Sequence, residues 1–229
     1  DMKFRTIRQI IVCVMVIGIS AWGISQKRTY TRILEGTNAL DCFYVAEFPE
    51  SLMETTLEDM QKMLPNSGFI IRATATGEKD YLFMVNQQEV LVQKVYQGEG
   101  IQVGEKINIV AGAGFVFRNV AEGKLAELGF VNEMREGQEY LIFLEKKINH
   151  LSFYNTNAKD TYQVMPTLIT PIFGYEDREN VIIDIPQGTS TYVQYSLVRE
   201  NEFFVTSKQA LTTLIEMKHR FLNTYSKEN

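Results

Sequence analysis

Cysteine and histidine are scarce in this chain. Two of each among 229 residues exclude a disulfide-dense scaffold, a four-cysteine zinc site and a three-histidine metal centre within one chain. Long basic runs are missing too. Lys and Arg number 23 against 28 Asp and Glu, a net charge of −5, so general nucleic-acid binding is not expected. No G-x-S-x-G, H-E-x-x-H or S-x-x-K occurs, which removes three common hydrolase signatures. N-x-S/T sequons are absent, and no internal repeat or low-complexity tract is visible. What remains is 45% apolar and 22% charged, with 15 Gly and 5 Pro, the composition of a chain that folds into one or two globular domains.

The most distinctive stretch is at the start. Lys3, Arg5 and Arg8 precede an apolar run over residues 10–24 that only Gly18, Ser20 and Gly23 interrupt, and Lys27 and Arg28 follow. A basic flank and then an apolar run is the layout of a signal peptide or an uncleaved signal anchor. As a helix the run reaches about 22 Å. The hydrocarbon core is about 30 Å thick, so spanning it requires snorkelling cations and local thinning. Small residues before a cut fit only loosely (Gly18 and Ser20, or Gly23 and Ser25), which favours the anchor over a cleaved, secreted form. The leading cations place the rest of the chain outside. An exported part holding only Cys42 makes no disulfide within itself, which suits the outside of a Gram-positive bacterium. The expected localisation is the cell membrane, single-pass, with an extracytoplasmic domain.

Residues 1–25 are thus read as the signal anchor or signal peptide, 26–50 as a linker, and 51–229 as a single β-rich ectodomain. Ser51 and Glu54 have the spacing of a capping box. Leu52, Met53, Leu57, Met60, Met63 and Leu64 recur at helical spacing until Pro65-Asn66-Ser67-Gly68. Strands are expected at 69–76, 81–96, 106–110 and 115–117, with a turn at 77–80 and a bend or bulge at 86–88. A short helix is expected at 121–128. Residues 140–144 form a continuous apolar run, the mark of a strand buried on both faces. Beyond His150, candidate strands lie at 151–154, 162–165, 181–185 and 191–198, and Pro171 confines 169–173 to a sheet edge or to no sheet. After Ser207, Leu211, Leu214, Ile215, Leu222 and Tyr225 at helical spacing mark an amphipathic helix. The expected fold class is mainly β with flanking helices (α+β).

Three stretches carry a resemblance. They are Val92-Gln93-Lys94-Val95-Tyr96-Gln97-Gly98-Glu99, then Val103-Gly104-Glu105-Lys106-Ile107-Asn108-Ile109, then Glu136-Gly137-Gln138-Glu139-Tyr140-Leu141-Ile142-Phe143-Leu144. Their order of strands and turn glycines resembles the five-stranded OB-fold barrels of bacterial extracytoplasmic proteins related to the netrin and TIMP-like modules. The likeness covers residues 68–146, with 150–226 as a β-rich extension and helix. Alternating strands between turn glycines suit a small closed barrel on physical grounds as well. TIMP-type inhibition works through an amino-terminal cysteine. Cys42 is internal, so the resemblance carries over no functional residue, and protease inhibition is not expected.

OB barrels bind oligomers across their second and third strands. Tyr81, Phe83, Tyr96, Phe115 and Phe117 fall in that region and form the candidate ligand-binding platform. The acidic balance points away from single-stranded nucleic acid and toward sugar, peptide or protein. No catalytic residue, metal ligand or cofactor is assigned. Glu216-Met217-Lys218-His219 is a single E-x-x-H where a di-iron bundle needs two. Gly112-Ala113-Gly114 is too short for a phosphate loop. Glu176, Asp177, Glu179 and Asp184 lack the calcium-loop pattern. His150 has no sequence-adjacent partner for catalysis, and Cys42 beside Phe43-Tyr44-Val45 reads as a buried thiol. The expected function is a membrane-tethered or secreted extracytoplasmic binding module, non-catalytic. It contacts a protein, a peptide or an envelope polymer, and the membrane through residues 10–24. An accessory structural subunit of a membrane complex and a cell-envelope enzyme without a recognisable motif are the alternatives.

Overall fold

The computed structural model describes residues 14–20, 22, 39–82, 85–111, 118–120, 123–148, 160–183 and 192–228, with the backbone alone for 39, 80–82, 85 and 118–120. The chain divides into two compact units, Asp1–Ala39 and Leu40–Asn229. In the first, residues 14–20 and 22 are helical, and Val14, Ile17, Ile19 and Trp22 are exposed. No helix among the described residues is long and apolar enough to cross a membrane.

The second unit runs through β1 (Phe43–Ala46), α1 (Met53–Met63), β2 (Phe69–Leu82), β3 (Val85–Gln97) and β4 (Lys106–Val110). It continues with β5 (Arg118–Val120), β6 (Gly123–Ala126), β7 (Glu139–Lys147), β8 (Thr161–Val164) and β9 (Ile172–Gly174). Then come β10 (Tyr192–Gln194), the helical turn α2 (Tyr195–Val198) and α3 (Lys208–Thr224).

Five strands close into a barrel. The order is β2-β3-β4-β8-β7, and β7 pairs back onto β2. β4 and β8 are parallel; the other neighbours are antiparallel. A three-stranded meander with a parallel last strand is OB-fold-like. Alternation fills the interior: Val90 and Val92, Ile107 and Ile109, Tyr140, Ile142 and Leu144, Tyr162 and Val164, each two residues apart on its strand. The expected barrel span, 68–146, falls one strand short, because Thr161–Val164 completes the ring. β7 is buried on both faces, as its apolar run predicts. Its even-numbered residues face the barrel, while Leu141 and Phe143 join a second core with Met60 and Leu64 and with Leu214, Met217 and Phe221 of α3. β9 pairs with β7 beyond the end of β8 and begins directly after Pro171. The remaining sheet, β10-β1-β6-β5, carries a third core of Phe43, Val45, Ala126, Val193, Val198 and Phe204.

Several expected elements differ. The turn at 77–80 is a bulge in a strand that runs on to Leu82: Ala75 pairs Val90 and Lys79 pairs Gln88, leaving extra residues on β2. Gly77 sits there at φ +87, and a Cβ would lie 2.9 Å from the Glu136 side chain. Asn86–Gln88, expected as a bend or bulge, are paired residues of β3, and the hairpin's bulge next to them carries its extra residues on β2 instead. The helix expected at 121–128 is replaced by β6, which is hydrogen-bonded to both β1 and β5; pairing on two edges overrides the helix propensity of Ala, Leu and Glu. Ser51 does not cap α1. A 3-10 turn over Glu50–Leu52 places Leu52 at the N-cap position, with no side-chain bond. Among the described residues of the expected strand 191–198, Tyr192–Gln194 are extended and Tyr195–Val198 form α2, and residues 181–183 of the expected strand 181–185 lie outside the sheets. Cys42 is exposed rather than buried, since it closes a 3-10 turn ahead of β1 instead of lying within the strand. The candidate strands at 115–117 and 151–154, and His150, lie outside the described residues.

Candidate functional site

A cleft of about 280 Å³ opens where the bulged end of the β2–β3 hairpin meets the segment before β7 and the α2 turn. The Gly77 bulge turns the strand so that Lys79 faces Glu133, with Lys79 Nζ 2.7 Å from Glu133 Oε2. Asn86 Nδ2 donates to the other oxygen of the same carboxylate at 3.2 Å. Gln88 Oε1 accepts the Met134 N–H at 2.8 Å. These bonds fix Glu133 and Met134 to the barrel.

Asn132 ties this loop to α2 and to the residues that follow it. Its amide donates to the carbonyls of Arg199 and Asn201, both at 2.8 Å. Its Oδ1 accepts from the Glu133 N–H at 2.8 Å and the Tyr195 hydroxyl at 3.0 Å. Burial, with Glu133 adding to it, pushes the Tyr195 phenol up to about 12. Tyr195 therefore stays protonated near neutrality and acts as a donor, not a base. On the rim, Arg135 pairs with Glu200 at 2.6 Å and Arg199 with Asp41 at 3.4 Å. The wall thus presents fixed charges of both signs, most already partnered. Behind it is a recess of about 20 Å³ lined by Asn86, Gln88 and Glu133. Asn86 Oδ1 is buried there without a protein partner, and the space suits one water.

A buried ionic network adjoins the cleft, since the Glu202 carbonyl accepts the Asn132 N–H at 2.8 Å. Lys218 of α3 is completely buried and sits 2.6 Å from Glu202 and 3.0 Å from Asp177. Glu202 also accepts the Gly174 N–H at 2.8 Å. Burial raises the Glu202 carboxyl despite the Lys218 charge. Burial pushes Asp177 up as well, but bonds from His219 and Lys218 outweigh it and hold Asp177 below its ordinary value. The E-x-x-H on α3 is therefore split: His219 pairs with Asp177 at 3.0 Å, and Glu216 is exposed. Among the described residues no group of three or more His, Cys, Asp or Glu is placed to hold a metal ion.

Of the expected aromatic platform, Phe83, Phe115 and Phe117 lie outside the described residues. Tyr81 is described by its backbone alone, opposite Asn86 in the hairpin. Tyr96 stands on β3, half-buried. Its ring lies 5.4 Å from that of Tyr225, and its hydroxyl donates to the Ser226 carbonyl at 2.6 Å. It is thus engaged by the segment that follows α3. The cleft residues Asn132, Glu133 and Tyr195, and the buried pair of Lys218 and Glu202, were not singled out from sequence. Only Lys218 leaves a trace there, a cation on the apolar stripe between Leu214 and Phe221. No family model matches this chain, and no curated protein matches it.

Proposed function

We propose that this chain is a non-catalytic binding module, related to the netrin and TIMP-like OB domains, that works outside the cell beside a membrane. The apolar run of residues 10–24 serves as its tether. The observation that carries the binding role is the cleft at the barrel end. Lys79, Glu133 and Arg135 are held in ion pairs by a bulged hairpin and a doubly anchored loop, which is preorganisation for recognition. Its phenol, Tyr195, is far from titrating at neutral pH, so it supplies a hydrogen bond instead of a mobile proton. The partner is a protein, a peptide or an envelope polymer.

Two measurements test the reading. In intact cells making the Cys13→Ser chain, a membrane-impermeant maleimide should label the exposed Cys42 without permeabilisation; labelling only after lysis refutes the outward address. For the cleft, thermal unfolding is followed with a panel of peptides and envelope glycans. A bound ligand raises the midpoint, and Arg135→Ala with Lys79→Ala should abolish that rise. Steady turnover of a panel member, lost in the same variant, would replace the binding module with an enzyme.

A further inference from the structure

The segment after α3 is held in an unusual way. Tyr225, Ser226 and Lys227 lie over the outer face where β7, β2 and β3 run side by side. Three consecutive carbonyls each accept a side-chain hydrogen bond from a different part of the fold. Tyr175 Oη donates to the Tyr225 carbonyl at 2.6 Å. Tyr96 Oη of β3 donates to the Ser226 carbonyl at 2.6 Å. Arg72 of β2 donates to the Lys227 carbonyl at 3.0 Å. Each phenol has one proton, and both are committed to the segment, although the two hydroxyl oxygens are only 3.2 Å apart. The donors are themselves positioned: the Tyr175 N–H bonds the Glu139 carbonyl of β7 at 3.0 Å.

The side chains of the segment meet two subsites. The Tyr225 ring packs 5.4 Å from Tyr96 and 5.8 Å from Phe143. Lys227 Nζ lies 2.6 Å from Glu139 and over the Tyr175 ring at 5.2 Å. Arg72 keeps a buried Nε with no acceptor, so the groove has more donor capacity than the segment uses. A surface that reads successive carbonyls by side-chain donors is indifferent to sequence at those points. Its selectivity then comes from the aromatic pocket and, two residues on, from the Glu139 carboxylate.

We propose that this groove is a peptide-recognition site, occupied in cis by Tyr225–Lys227. Its partner in trans is an extended segment of another protein with an aromatic residue followed two positions later by Lys or Arg. The proposal is independent of the cleft and of the membrane address. The cis segment competes at the millimolar effective concentration of a short tether, so the groove opens to a partner only when that segment releases.

The test uses the full chain and a fluorescein-labelled octapeptide with the sequence of residues 222–229. Two variants weaken the cis segment: Lys227→Glu alone, and Lys227→Glu with Tyr225→Ala. Anisotropy titration should show the peptide binding the double variant at least about tenfold more tightly than the unmodified chain. Adding Tyr96→Phe and Arg72→Met should remove that gain. Equal binding to the unmodified chain and the folded double variant overturns the proposal. So does a gain that survives loss of both donors. Failure of both cis variants to fold also overturns it, because a segment the fold cannot release is not an occupant. A concentration-dependent dimer that Tyr96→Phe dissociates would assign the groove to a second copy instead.

Discussion

Glu47 gives the sharpest test of the energetics. It follows β1, is 2% exposed, and its Oε2 has no hydrogen-bond partner. Burial lifts its carboxyl from the ordinary 4.5 to about 7. A carboxyl raised on folding contributes fully to stability below pH 4.5, where it is neutral in both states. That contribution is lost as pH climbs through 7, where the folded protein must hold a desolvated charge. The gap between 4.5 and about 7 corresponds to about 3 kcal/mol. Glu47→Gln keeps the neutral shape at every pH. It should therefore be close to neutral at pH 4 and stabilise by up to about 3 kcal/mol at pH 8. The assay is denaturant unfolding of the full chain at a series of pH values, followed by far-UV circular dichroism. Tryptophan emission is unsuitable, since the single Trp is residue 22, outside the Leu40–Asn229 unit. A difference between the two proteins that is constant from pH 4 to pH 8 would refute the reasoning. So would a variant whose advantage grows toward acid.

Other changes test the remaining contacts. Lys218→Met should cost about 3–5 kcal/mol by leaving the Glu202 charge buried and unpaired, and Glu202→Gln in the same chain should restore most of it; equal losses in single and double variants would refute this. Gly77→Ala should cost about 1–3 kcal/mol from its positive φ and from contact with Glu136, and Glu136→Ala should recover only the contact share. Ser207→Ala removes the side-chain oxygen that accepts the Ala210 N–H at 3.1 Å. The same hydroxyl donates to Glu50, so the change should cost about 1 kcal/mol or a little more, with Ser207→Thr close to the original in the same thermal melt and Ser207→Asp, which sets a second carboxylate against Glu50, below it.

Local period and global closure divide what is legible in this sequence. β7 is legible because burial on two faces leaves an uninterrupted apolar run, and α3 because Leu214, Ile215 and Leu222 keep a helical spacing behind a serine cap. β8 carries only Thr161, Tyr162, Gln163 and Val164, too short a pattern to announce that it closes a ring with β4 across Lys106–Val110. Gly77 misleads for a physical reason: a positive φ serves a turn and a bulge equally, and only pairing partners beyond it decide between them. The cleft is less legible still. Asn132 and Tyr195 are ordinary residues 63 apart in sequence that the fold brings to 3.0 Å, and no spacing rule encodes that meeting. The peptide groove marks the limit. Sequence marks Tyr96 only as a ring; the structure uses the ring against Tyr225 and also the hydroxyl, which holds the Ser226 carbonyl. The groups that Tyr96, Tyr175 and Arg72 hold are backbone carbonyls, which every residue possesses. At those points the gripped segment carries no mark beyond its aromatic and basic side chains, and so the surface becomes visible only once the strands carrying its donors have been laid side by side.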